Sequence, residues 1–312
     1  MPTTTPERRG RDHVGVDPET AAVDETRPLS ICTIGDLILD VVVLPDGPLV
    51  PDADRPATIR FLAGGQAANV AAWASALGAT SRLICKRGTD VSSELAAAEL
   101  VRYGVEICGP VAAGRGGVVV SVRDARGQRT MASDRGVAAL LARSELDPSW
   151  VQSCDVLHVS GYCLLREPMA EAAIEAARHA RRVTVDLASA HDIEILGAQR
   201  FAARLEALGP DLAFATEAER AAVPDFDATW VIKLGARGAR FPEGVYPAPS
   251  AVAVDTTGAG DALAAGYLVG GPERAIESAA RSVGLIGAMP SDATLGREPD
   301  IRTPVNPPRY RA

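Results

Sequence analysis

Asp261 directly follows a Gly258-Ala259-Gly260 turn, and the turn leads into Ala262-Leu263-Ala264-Ala265-Gly266-Tyr267-Leu268. These small apolar residues predict a closely packed helix. A glycine-rich turn at a helix start leaves backbone N–H groups unpaired, with the positive end of the helix dipole behind them. The turn is therefore an anion cradle, and the carboxylate beside it is a proton acceptor. Transfer of a phosphoryl group to an alcohol needs both parts. A strand-to-helix turn with small residues only for packing is the plainer alternative. A dinucleotide fingerprint fails because Leu263 stands where its third glycine belongs, and G-x-x-x-x-G-K-[ST] occurs nowhere in the chain.

Other polar positions suit the recognition of hydroxyls. Asp36 and Asp40 follow the apolar run Leu29 to Gly35, and a carboxylate accepts a pair of hydroxyl donors with charge-assisted bonds. Asp40 fits that role, with a turn residue ending a strand as its alternative, and Asp36 divides evenly between the two. Gly64-Gly65-Gln66-Ala67-Ala68-Asn69 combines two glycines that permit close backbone approach with an amide offering both donor and acceptor. A capped helix start explains the same residues without a ligand. Arg135, in Ser133-Asp134-Arg135-Gly136, either meets an anionic or polyhydroxyl substrate or is a solvated loop arginine. The four histidines have no metal-ligand spacing.

These groups need a rigid frame. Strands are expected at 29–35, 81–86, 156–160, 182–186, 212–215 and 230–234, and helices at 66–77, 92–103, 167–180 and 198–208. Residues 41–62, broken by Pro45, Pro48, Pro51 and Pro56, predict short strands at an edge. Residues 116–122 and 129–132 predict a hairpin. Such alternation implies a parallel sheet covered on both faces, with ligands at the carboxyl ends of its strands. Asp36, Asp40, Asp186, Thr216, Glu217 and the 255–261 segment all fall at those ends.

Composition sets the class. With 312 residues, 47% hydrophobic and 23% charged, the chain supports one large globular core. A net charge of −8 argues against nucleic-acid binding. Five scattered cysteines without a C-x-x-C read as reduced thiols. With no secretory signal and no apolar run of membrane-spanning length, a cytoplasmic protein without a membrane partner is expected.

The segment Val254-Asp255-Thr256-Thr257-Gly258-Ala259-Gly260-Asp261 resembles, almost letter for letter, the D-T-x-G-A-G-D signature of the PfkB/ribokinase family of sugar and nucleoside kinases. Gly64-Gly65-x-x-x-Asn69 is similar to that family's G-G-x-x-x-N, and Thr33 to Asp40 to its first strand, ending in a substrate carboxylate. The resemblance spans roughly Ile31 to Met289. It implies an α/β fold, a ribokinase-like three-layer α/β/α sandwich with a mostly parallel central sheet. A small β-sheet lid is expected from 41–62 and 116–132, within a kinase domain over 29–295. Residues 1–28 are expected to be a disordered tail and 296–312 an irregular one.

The resemblance also implies roles. Asp261 is the base, and Gly258, Ala259 and Gly260 form the anion hole. Asp36, Asp40, Gly64, Gly65 and Asn69 bind substrate. ATP lies along Lys233, Gly235, Gly238 and Thr257, although Lys233 reads equally as a snorkelling surface lysine. The family's N-x-x-E falls on Phe214 to Glu217, giving Glu217 a water-mediated Mg²⁺ role, with Glu219 as the alternative. Phe214 departs from the pattern at the Asn position. Asp255 and Thr257 match positions that bind a monovalent cation, so K⁺ joins ATP and Mg²⁺ among the candidate ligands. The implied activity is ATP-dependent phosphorylation of a hydroxyl on a small sugar. A nucleoside kinase and a non-catalytic nucleotide- or sugar-binding protein remain as alternatives. A homodimer through the lid is expected because two short strand groups, 41–62 and 116–132, make too small a sheet to be stable with one face in water.

Overall fold

The computed structural model describes residues 27–123, 129–250 and 253–291. The expected tails therefore lie almost wholly outside the described residues, as do the hairpin tip and the start of the 251–254 run.

Thirteen strands are described. They are β1 (Ser30–Ile34), β2 (Ile38–Pro45), β3 (Ala57–Gly64), β4 (Thr80–Ile84), β5 (Glu106–Cys108), β6 (Gly117–Arg123) and β7 (Arg129–Asp134). Then come β8 (Val156–Ser160), β9 (Val183–Asp186), β10 (Leu212–Thr216), β11 (Thr229–Lys233), β12 (Ala239–Phe241) and β13 (Gly244–Tyr246). The helices are α1 (Gln66–Ala76), α2 (Val91–Arg102), α3 (Ser149–Gln152), α4 (Met169–Arg178), α5 (Ala190–Leu196), α6 (Ala198–Leu208), α7 (Glu217–Ala221) and α8 (Ala259–Val283).

Nine strands form one sheet in the order β13-β12-β11-β10-β9-β8-β1-β4-β5. From β5 to β11 every pairing is parallel, and only β12 runs the other way, antiparallel to both β11 and β13. Strands buried on both faces need continuous apolar runs, and β1, β8 and β9 are buried almost throughout. One core lies between the sheet and α4 and α6, and includes Leu157, Val185, Phe201 and Leu205. Others form under α1 and α8, through Val70, Trp73, Leu263 and Ala265, and under α2, through Leu83 and Leu100. The layering is helix, sheet, helix.

The lid is a second, four-stranded sheet in the order β3-β2-β6-β7. Its first two strands are longer than the proline-broken sequence suggested, eight residues each. The prolines cause no break because Pro45 ends β2 while Pro48, Pro51 and Pro56 lie in the connecting turn, which the Asp46 N–H to Pro56 carbonyl bond closes. The first core strand also stops earlier than expected. It ends at Ile34, the chain turns at Gly35, and Asp40 becomes the third residue of lid strand β2. The lid thus carries Asp40 itself. α8 bends at Gly270 and Gly271, just before Pro272, whose missing N–H cannot continue the helical ladder. Among the described residues, no helix is long and apolar enough to cross a membrane.

Candidate active site

α1 and α8 pack side by side, and their small residues let the two backbones come close. That contact places Asn69, in the first turn of α1, against Asp261, in the first turn of α8. The Asn69 side-chain amide donates to Asp261 Oδ2 at 2.7 Å. Burial raises the Asp261 carboxyl to about 7, with the charges of Asp186 and Asp40 adding to the effect. The Asn69 bond and the Lys233 charge pull the other way. A carboxyl that titrates near 7 is about half ionised at neutral pH and is basic enough to take a proton.

The turn before Asp261 opens α8 at Gly258, and its Ala259 N–H reaches the Thr256 carbonyl at 3.4 Å. Gly258 adopts φ 75°, which L side chains avoid, and a Cβ there would lie 2.5 Å from the Ala288 Cβ. Gly260 faces the Lys233 side chain, with a hypothetical Cβ 3.5 Å from Nζ. Asp255 closes the loop by accepting from the Thr257 N–H (3.0 Å), the Thr257 hydroxyl (2.6 Å) and the Gly287 N–H (3.1 Å). Burial works against its charge, yet these bonds and the Arg123 guanidinium hold the carboxyl below its ordinary value.

Lys233, at the end of β11, does not snorkel. Its ammonium donates to both oxygens of Asp186 at 2.7 Å and lies 3.7 Å from Glu219. Burial opposes its charge, and the Asp186 and Glu219 carboxylates outweigh burial and raise its pKa. Asp186 belongs to the cluster although nothing but its place at a strand end marked it in the sequence.

Glu217 stands apart from this cluster. Its side chain is exposed and pairs with Arg237. Glu219 is the buried acid. Thr216 caps α7 by accepting from the Glu219 N–H, and Glu219 Oε2 accepts the Thr216 N–H at 2.7 Å, a reciprocal capping box. Phe214 is a core residue, edge-on to His158 and Tyr267. The T-x-x-E pattern two residues beyond Phe214 was the available signal for Glu219.

Across the cleft, Asp40 lies over the glycine pair. A Cβ on Gly64 would come within 2.3 Å of Asp40 Oδ2, and one on Gly65 (φ 100°) within 2.3 Å of the Asp36 carbonyl oxygen. The two glycines thus make room for Asp36 and Asp40. Burial and the Glu99 charge push the Asp40 carboxyl up to about 7. Among the described residues no hydrogen-bond donor reaches it, which leaves both oxygens for a ligand's hydroxyls. Asp36 is occupied by an ion pair with Arg135.

On the other side of the cradle, a cleft of about 510 Å³ runs past Gly235, Gly238 and Gly260 to an apolar wall that includes Leu263, Ile276 and Val283. A cleft of this size with one apolar wall and a glycine-lined end suits a small organic ligand. Among the described residues, no cluster of acids, histidines and cysteines forms a metal cage of its own. Glu219 Oε2 is engaged by the Thr216 N–H and lies 3.7 Å from the Lys233 ammonium.

A parallel sheet with a β lid, an anion cradle at a helix start and a near-neutral carboxylate beside it together define a small-molecule phosphotransferase. The sequence matches the pfkB family carbohydrate kinase domain over residues 28–283, and the chain belongs to that family. It is 33% identical over 273 residues to an ATP-dependent ribose-1-phosphate kinase of Halopiger xanaduensis, covering 80% of this chain and 86% of the relative. Among solved structures it is similar to adenosine kinase from Sinorhizobium meliloti, with TM-score 0.74, 22% identity and coverage of 86% and 98% of the two chains. An uncharacterized sugar kinase from Pyrococcus horikoshii in complex with ATP matches with TM-score 0.70, 24% identity and coverage of 83% and 93%. The protein is an ATP-dependent kinase of a sugar-like substrate.

Proposed function

We propose that Asp261 takes the proton from a hydroxyl of a small sugar or sugar-like substrate as that oxygen attacks the γ-phosphoryl group of ATP. The observation that carries this is Asp261 itself, held by Asn69 at the mouth of the Gly258–Gly260 cradle with its carboxyl near neutrality. The free carboxylate of Asp40 holds hydroxyls of the same substrate. Bound ATP and Mg²⁺ supply the transferable group and neutralise its oxygens. The Gly258 and Gly260 N–H groups, joined by the Ala259 N–H as it leaves its long 3.4 Å bond to the Thr256 carbonyl, stabilise the charge that develops there, and Lys233 adds a fixed positive charge behind Gly260. Glu219 takes the water-mediated metal role in place of Glu217.

The nucleoside alternative asks for an aromatic lid residue over a base. Phe61 is the lid's aromatic, but it pairs with Val41 while its neighbour Leu62 pairs with Asp40. Successive strand residues face opposite ways. Phe61 therefore faces outward, and it is 59% exposed. A sugar is favoured. ADP release with ATP and a panel of pentoses, hexoses, sugar acids, sugar phosphates and nucleosides tests the assignment. Turnover confined to nucleosides overturns it.

The Asp255–Thr257 segment is a poor fit to K⁺. Both Asp255 oxygens are already hydrogen-bonded, and Arg123 and Arg129 each approach them to 3.6 Å from the lid. The two guanidinium groups supply the positive charge at this spot, and rates equal in K⁺ and tetramethylammonium salts are the expected result.

The outward lid face also favours a homodimer. Phe61, Val41 and Val120 share one row, and Ile59, Val43 and Val122 the next. Ile59 is 54% exposed. An apolar patch of this kind is usually covered. Light scattering at micromolar concentration should give a dimer mass, and Phe61→Arg should halve it. A monomer mass for the unaltered protein removes this proposal.

A further inference from the structure

Carboxylates from three elements of the active site gather around one ammonium. Lys233 ends β11 opposite Thr216 of β10, and Asp186 ends β9 opposite Phe214 of the same β10. Register partners and alternate residues of a strand share one face. The Lys233 side chain therefore crosses β10 to reach Asp186. It donates to both Asp186 oxygens at 2.7 Å, and the Ala188 N–H adds a further bond to Oδ1 at 3.2 Å. Glu219 Oε2 lies 3.7 Å from the same ammonium and already accepts the Thr216 N–H. The Asp261 charge also favours the ammonium form of Lys233.

Acids gathered in this way ordinarily attract a hydrated divalent cation. The residues here do not suit one. Asp186 is fully buried, and the ammonium takes up both of its oxygens. A divalent ion drawing on those oxygens would meet a fixed positive charge at close range, where like charges repel strongly. Phe214, two residues before Thr216 and on the same face, offers only a ring packed edge-on to His158 and Tyr267. Glu219 Oε1 is left, a single carboxylate oxygen. That is enough for a metal arriving with phosphate ligands, and too little to hold one without them.

We propose that Lys233 is the resident cation of this acidic cluster and fills the place that a divalent metal would take, so that Mg²⁺ is held here only together with the phosphates of ATP. The last clause rests on the kinase reading above, while the first stands on Lys233, Asp186 and Glu219 alone. A tethered ammonium holds the two carboxylates in place behind Gly260 before any nucleotide arrives. Free Mg²⁺ in excess of ATP then has no second site to fill in this cluster.

Mn²⁺ is the probe, since it takes the same oxygen ligands as Mg²⁺ and its unbound form is counted by electron paramagnetic resonance. The full chain is titrated without nucleotide at pH 8, where the carboxylates are ionised. The unaltered protein should show no Mn²⁺ site tighter than about 1 mM, the weak end for oxygen-ligand sites. Lys233→Ala should gain one site per chain, about 10-fold or more tighter, and Mn²⁺ should raise the Tm of that variant alone. Adding Asp186→Asn to Lys233→Ala should remove the gain.

A Mn²⁺ site in the unaltered protein that Asp186→Asn abolishes overturns the proposal, and this result needs no lysine variant to fold. A Lys233→Ala protein that is folded by near-ultraviolet circular dichroism, yet binds Mn²⁺ no better than the unaltered chain, also overturns it. None of these readings depends on turnover. The expected Mn²⁺ results with no ADP released from any substrate keep the role of Lys233 and remove phosphoryl transfer. Tight Mn²⁺ uptake by the nucleotide-free protein with normal ADP release does the reverse.

Discussion

Asn69 and Asp261 are 192 positions apart in the chain, and the Asn69 amide donates to the Asp261 carboxylate at 2.7 Å. The bond fixes which Asp261 oxygen is engaged, and among the described residues the other has no hydrogen-bond donor, as the proposed proton transfer requires. Asn69 is therefore first a positioning residue for the base, in addition to any hydroxyl it meets. Asn69→Ala should lower kcat more than it raises KM, and should shift the acid limb of the rate profile to higher pH, because it removes a bond that lowers the Asp261 pKa. Steady-state kinetics across pH 5–9 measure both effects.

Asp261→Asn should reduce turnover by about 10²-fold or more, since an amide cannot accept the proton. The same change should raise thermal stability at pH 8. The carboxyl ionises near its ordinary value of 3.8 when unfolded and at about 7 when folded. Between those values the folded state binds more protons, so stability falls as pH rises through the window and the full penalty is present above it. The gain in Tm should therefore be largest at pH 8 and vanish below about pH 4. Equal Tm values for the two proteins at pH 8 contradict the burial argument.

Turnover should fall on the acid side with an apparent pKa near 7. Asp40 and Asp261 both ionise there and influence each other, so the limb belongs to the pair. Lys233→Met removes a charge that favours ionised Asp261 and should move the limb upward. A limb left in place shows that Lys233 acts elsewhere.

Asp40→Ala should weaken sugar binding about 10 to 100-fold and leave ATP binding nearly intact, since the lost carboxylate contacts hydroxyls worth about 1.5–3 kcal/mol. Calorimetry with each ligand separates the two. Equal losses for both would place Asp40 outside the sugar site.

Gly260→Val should abolish turnover while sugar affinity is retained. The added methyls point at Lys233, whose Nζ is 3.5 Å from the position of a Cβ, and they intrude where phosphate oxygens should rest. Gly260→Ala meets only an ordinary contact at 3.4 Å and should be milder. Full activity in the valine variant would mean that phosphate does not sit on this turn.

Local chemistry alone made much of this legible. The Gly258–Asp261 turn, the glycine pair and the strand–helix alternation are signals carried by neighbouring residues, and backbone sterics and periodicity translate them directly into a cradle, a turn and a parallel sheet. Glu217 and Glu219 show what a motif read locally leaves open. The choice between Glu217 and Glu219 depends on which one the Thr216 cap turns inward, and on where Lys233 lies, which no spacing encodes. Asp40 shows the same limit, since only the lid pairing moved it off the core strand. The Lys233–Asp186 pair, the Arg135–Asp36 pair and the Asn69–Asp261 bond join residues brought together by sheet order and by the packing of α1 on α8. Residue types and their spacing set which groups are able to do the chemistry. Their partners, their burial and hence their proton affinities were decided by the tertiary structure, because desolvation and charge act through space.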